Sequence, residues 1–223
     1  MRLFELTVAC YIYPIIAGYD KSYCEFLKKT SPSLNMLDSE HRKSLLIWLR
    51  KWGCRQFESD YGDKASNNLK SWYKVHNNLL PSLKKSILDI SNNELKNTVK
   101  AYDTLKKVRA SESKTVGPTG ASKILFALRS NLCPPWDIAM RNGRYNGNAE
   151  SYKKFLLYVR EELAQLQKDC KKFGITMSGL PRKLGQAQSS LIKLVDEYHV
   201  VFVTRKFAVP GIEMVEEWVK WAK

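Results

Sequence analysis

The chain lacks any paired-cysteine motif. Cys10, Cys24, Cys54, Cys133 and Cys170 are scattered, odd in number and without a CxxC spacing. This argues against a disulfide framework and against a zinc or iron–sulfur site, and reads as reduced, mostly buried thiols in a cytoplasmic protein. Histidine is scarcer still. His41, His76 and His199 are isolated, without metal-ligand spacing, and are read as structural. No Walker-type loop or Rossmann fingerprint occurs, so nucleotide hydrolysis and hydride transfer have no support. Long hydrophobic runs are also missing. Residues 6–18 are too short to span a bilayer and contain Pro14. Glu5 precedes that run and no small-x-small cleavage site follows, which argues against a signal peptide. Neither a cofactor nor a metal is expected.

Negative charge is the other scarcity. There are 22 Asp plus Glu against 37 Lys plus Arg, a net charge of +15. An excess of this size attracts polyanions and speeds their capture. Nucleic acid is the first partner expected and an anionic membrane surface the second; a chain that is simply basic is the plain alternative. What is present in quantity is core-forming material. Hydrophobic residues make up 44% of 223 positions, ample for one large domain or two small lobes.

Helical periodicity dominates. Ser39 is a candidate cap for a helix with Leu45, Trp48, Leu49 and Trp52 on one face and Lys43, Arg50, Lys51 and Arg55 on others. Aromatic and basic residues interleave there, as single-strand stacking would require; the shared face instead assigns both tryptophans to the core. Leu69, Trp72 and Tyr73 suit a second helix, and Leu83, Ile87 and Leu88 a third after Pro81. Asn92 or Asn93 caps another with Leu95, Val99, Tyr102 and Leu105 in a stripe. A long amphipathic helix carries Tyr152, Phe155, Leu156, Val159, Leu163, Leu166 and Cys170 and ends near Gly174. Leu184, Ala187, Leu191, Leu194 and Val195 mark a further one, and Pro210 opens a last one with Met214, Val215, Trp218 and Trp221. Residues 200–204 look strand-like or irregular. Glu161 and Glu162 read as helix-surface charge. The expected class is all-α.

The segment with most chemical content is 116–141, VGPTGASKILFALRSNLCPPWDIAMR. Gly117 and Gly120 permit close backbone approach, Pro118 suits a first helical turn, and a helix start leaves amides for phosphate. One acid, Asp137, follows a Pro-Pro-Trp break. It is suited to capping the helix through Met140, a role compatible with catalysis. Arg141 and Arg144 follow in a polar stretch suited to backbone-phosphate contact or to plain solvation.

This segment resembles the helix-hairpin-helix DNA glycosylases of the endonuclease-III-like superfamily. There a G-V-G-x-K-T-A hairpin precedes a catalytic aspartate in a V-D-T-x-V context. Without a gap, the hairpin glycine falls on Gly117, the alanine on Ala121 and the acid on Asp137. The first hairpin glycine is replaced by Thr115 and the lyase lysine by Thr119; the family's cysteine cluster is absent. The resemblance implies a two-lobed helical fold with a cleft, residues 38–130 forming one lobe and 1–37 with 131–223 the other. It implies flipping of a base out of double-stranded DNA and hydrolysis of its N-glycosidic bond, with Asp137 stabilising the oxocarbenium charge and activating water.

In the same reading Trp136 lines the base pocket, while Val116, Gly117, Thr119, Gly120, Lys123, Arg141 and Arg144 hold DNA. Thr119 cannot form a Schiff base, so the expected enzyme is monofunctional. Lys123 is read as a surface or phosphate-contacting lysine rather than a displaced nucleophile. The base is damaged or modified, with glucosylated hydroxymethylcytosine of phage DNA, and hence antiphage defence, one expectation. The alternatives are a non-catalytic helical nucleic-acid-binding protein and a basic interaction protein. No obligate protein partner is evident.

Overall fold

In the computed structural model, which describes residues 1–18, 20–57, 63–141, 145–209, 211 and 213, the chain is all-helical. The helices are α1 (Leu3–Ile16), α2 (Asp20–Lys29), α3 (Ser39–Lys51), α4 (Asp63–His76), α5 (Asn92–Leu105), α6 (Gly117–Leu128), α7 (Ile138–Arg141), α8 (Ala149–Lys172), α9 (Leu180–Lys183) and α10 (Leu191–Tyr198). A π-helical turn, His199–Thr204, continues α10. Among the described residues the one β contact is an isolated bridge between Arg109 and Thr115. No described helix is long and apolar enough to cross a membrane.

Local chemistry sets the helix starts. Asp38, one residue before the expected Ser39, caps α3 by accepting from the amides of Glu40 and His41 at 2.7 and 3.0 Å. At α5 the cap is Ser91 rather than Asn92 or Asn93, because Ser91 and Glu94 exchange bonds in a capping box. Three expected elements change. Residues 81–90 form turns: the Ile87 amide donates to Asn131 O at 3.1 Å, and the carbonyls of Ile87 and Ile90 take the Arg160 guanidinium. Leu184 and Ala187 fall in a turn after α9, and Ser190 caps a shorter α10. Residues 200–204 are π-helical, with the Arg205 amide reaching back to Val200 O at 2.9 Å. Residues 214–223, with the expected Met214, Val215, Trp218 and Trp221 stripe, lie outside the described residues.

The core is organised around α6. Gly120, Ala121, Ser122, Lys123, Ile124, Leu125, Phe126 and Leu128 are all buried. Its small residues let neighbours come close: a Cβ on Gly120 would lie 2.6 Å from Gln56 Nε2. Helices α3 and α5 pack on α6, α5 packs on α8, and α1 packs on α10, α8 and the π-turn. An aromatic stack of Tyr23, Phe26, Trp48, Trp52 and Phe126 joins α2, α3 and α6, with ring centroids 4.6 to 6.5 Å apart. The expected tryptophan core on α3 is present, Trp48 and Trp52 being 1% and 7% exposed. Glu162 is a correction. It is buried on α8 against His199, Oε2 lying 2.8 Å from Nε2, because the π-turn covers that face.

Between α5 and α6 the chain makes an eleven-residue excursion, 106–116, where the resemblance implies a short hairpin. The Ala110 amide donates to Lys114 O at 2.9 Å, and Thr115 pairs with Arg109. Thr115 therefore sits in a small antiparallel closure, which an extended β-branched residue suits.

Candidate active site

A single lysine in an otherwise uncharged helix places the site. Lys123 is the one charged residue of α6 and is 4% exposed. A buried ammonium needs partners, and Lys123 Nζ has two: Asp137 Oδ1 at 2.8 Å and the Trp52 carbonyl at 2.7 Å. Burial pulls this ammonium towards neutrality, but the Asp137 charge and hydrogen bond outweigh it, and its pKa stands above the ordinary value.

Asp137 reaches that position through the proline break. After α6 the chain turns at Arg129, whose carbonyl accepts from Leu132 and Cys133 at 2.9 and 3.0 Å. Pro134 and Pro135 then run in irregular backbone, where the lack of an amide donor is no loss. The Trp136 amide is pinned to Ser122 Oγ at 2.9 Å. Ser122 and Lys123 are neighbours on α6, so this bond sets Asp137 at the level of the lysine. Its side chain is 37% exposed, and Oδ2 has no hydrogen-bond partner among the described residues.

The pair lines a cavity of about 210 Å³ with Tyr13, Trp52, Asp196, Val200, Thr204 and Arg205. Behind its wall Lys193 lies over the Tyr13 ring at 4.2 Å and pairs with Glu197 at 2.8 Å and Asp20 at 3.1 Å. Asp196 is 4% exposed. Burial pushes its carboxyl up to about 7; Lys193 opposes the shift, and Asp137 reinforces it. No family model, curated protein or solved structure matches this chain.

The expected site residues fall into separate places. Asp137 lines the cavity. Lys123 does too, so it is a buried counterion and not a surface or phosphate-contacting lysine. Trp136 is corrected from pocket wall to core: it is fully buried and stacks on Phe155 with centroids 5.4 Å apart and planes 12° apart. Val116 is buried and its amide donates to Val108 O at 2.8 Å; the Gly117 amide donates to Lys106 O at 3.0 Å. Those two amides are therefore spent inside the protein. Gly117, at φ +66°, needs glycine to enter α6. Gly120 is buried against Gln56. Arg141 is half-buried, its guanidinium 5.6 Å above the Trp136 ring and bonded to Thr119 Oγ1 at 3.2 Å, so the two residues tie α7 to the start of α6. Arg144 lies outside the described residues.

Tyr13, Asp196, Val200, Thr204 and Arg205 were not visible as site residues. Lys123 did carry a signal, since a lone charge in an apolar helix demands a counterion.

Proposed function

We propose that the chain is a monofunctional DNA glycosylase that flips a modified or damaged base and hydrolyses its N-glycosidic bond, leaving an abasic site. The observation that carries this reading is Asp137: a partly exposed carboxylate, paired with Lys123 through Oδ1 and with Oδ2 unpartnered among the described residues, at a small cavity walled by Tyr13 and Trp52. Cleavage of the bond builds oxocarbenium charge on the sugar, which a carboxylate stabilises while it takes the proton of the attacking water. A flipped base stacks on aromatic walls. The cavity is smaller than the roughly 300–1,000 Å³ usual for drug-sized ligands, which suits one base with the sugar at the mouth. Exposed Arg205 at the lining supplies a cation for the backbone.

Lys123 supports hydrolysis without strand cleavage. A Schiff base needs a neutral amine, and this one is held as an ammonium. The ungapped resemblance of 116–141 supports the same chemistry, and the net charge of +15 supports a polyanionic partner. Defence against phage DNA with glucosylated hydroxymethylcytosine is one role within this reading.

The Lys123–Asp137 pair also favours a second reading, in which Asp137 only neutralises a buried lysine and the protein binds nucleic acid without catalysis. Incubation with duplexes carrying single modified bases, followed by alkali, separates the two. Alkali-labile sites formed by the wild type and lost, by at least about 100-fold in rate, in Asp137→Asn support the glycosylase. Wild-type rates in that variant refute the assignment of Asp137. Nicks without alkali that borohydride traps refute the monofunctional class.

A further inference from the structure

The reaction above employs one carboxyl, yet the cavity is lined by two. Asp196, on α10, is 4% exposed, and among the described residues its side chain makes no hydrogen bond or ion pair. A buried carboxyl is costly to hold in its ionised form, and this one lines the cavity that also holds Asp137. The charged and titratable groups around it come from every neighbouring element: Lys193 and Glu197 on α10, Lys123 on α6, Asp137 before α7, Tyr13 on α1, Asp20 on α2 and Arg205 after the π-turn.

The two carboxyls have unlike surroundings. Asp137 is the anion of an ion pair with Lys123, whereas burial keeps the proton on Asp196 up to about pH 7. A carboxylate seated against a cation and a buried carboxyl lining the same cavity are placed to divide base and acid roles between them. We propose that Asp196 is the general acid of this site, protonating the base as it leaves, and that the substrates are therefore neutral nucleobases rather than cationic alkylated ones. The inference rests on the glycosylase reading. Water adds its oxygen to C1′ and gives a proton to Asp137. The C1′–N bond breaks with its electron pair going to the base, and the Asp196 proton neutralises that nitrogen or a conjugated heteroatom. Proton return from Asp137 and solvent restores Asp196. A cationic base such as 7-methylguanine already leaves as a neutral molecule and needs no acid.

The test uses full-length protein and duplexes containing one glucosylated 5-hydroxymethylcytosine, uracil, hypoxanthine or 8-oxoguanine, with 7-methylguanine as the cationic probe. Single-turnover base release is measured from pH 5.5 to 9. Release from at least one neutral-base duplex is expected, with a rate falling about tenfold per pH unit above neutrality. Asp196→Asn is expected to lose about 100-fold or more at pH 6 and to lose that alkaline limb. Urea unfolding of the variant verifies its fold, and the wild-type pH profile is informative without any variant. Release of 7-methylguanine alone overturns the inference, as does a flat wild-type profile or an Asp196→Asn protein with the wild-type rate; the glycosylase reading survives all three. No release from any duplex refutes that reading, and the inference with it.

Discussion

Replacement of Asp196 by Asn tests the energetic state of the site without reference to any reaction. In the folded chain this carboxyl is buried and raised to about 7 from an ordinary 3.8. At about 1.4 kcal/mol per unit, ionising it in place is roughly 4 kcal/mol less favourable than in the unfolded chain. The folded state keeps its proton between pH 4 and 7 while the unfolded state has released it. Folding therefore takes up a proton in that window, and wild-type stability falls as pH rises through it, with the loss complete above pH 7. Asn is neutral in both states and escapes the loss. Its stability relative to wild type should therefore climb with pH and level off above 7, changing by roughly 2–3 kcal/mol between pH 5 and pH 8. Urea unfolding curves of both proteins at pH 5, 6, 7 and 8, followed by tryptophan fluorescence, measure that difference. A gap independent of pH, or a wild type that gains on the variant towards pH 8, would refute the argument that Asp196 carries a proton at neutrality.

Lys123→Met removes the donor to Trp52 O and the partner of Asp137. Breaking a fully buried pair destabilises by ~3–5 kcal/mol, but Asp137 is partly solvated, so about 1–3 kcal/mol is expected. A double-mutant cycle with Asp137→Asn should recover part of it, and strict additivity would show the pair to be uncoupled. Trp136→Ala should destabilise by ~3–5 kcal/mol in urea unfolding, as for other buried aromatics; a loss below about 1 kcal/mol would return Trp136 to the pocket wall.

The sequence by itself determined what depends on neighbours in the chain. Periodicity gave α3, α5 and α8, since a stripe of apolar residues at helical spacing is buried whichever partner covers it. It also gave the core role of Trp48 and Trp52. Where a segment's backbone bonds to distant groups, local reading failed: in residues 81–90 the carbonyls of Ile87 and Ile90 bond Arg160, and 200–204 widen into a π-turn against α8. The spacing of 116–141 singled out Asp137, but only the fold set Lys123 against it. Trp136 shows the limit most plainly. Adjacent to Asp137 in sequence, it points instead into the core, where its amide is held by Ser122 Oγ and its ring stacks on Phe155. Tyr13, Asp196 and Arg205 joined the site through packing of α1 and α10, elements from opposite ends of the chain. Proximity of that kind comes from the burial of apolar faces against one another, and no local pattern encodes which faces meet.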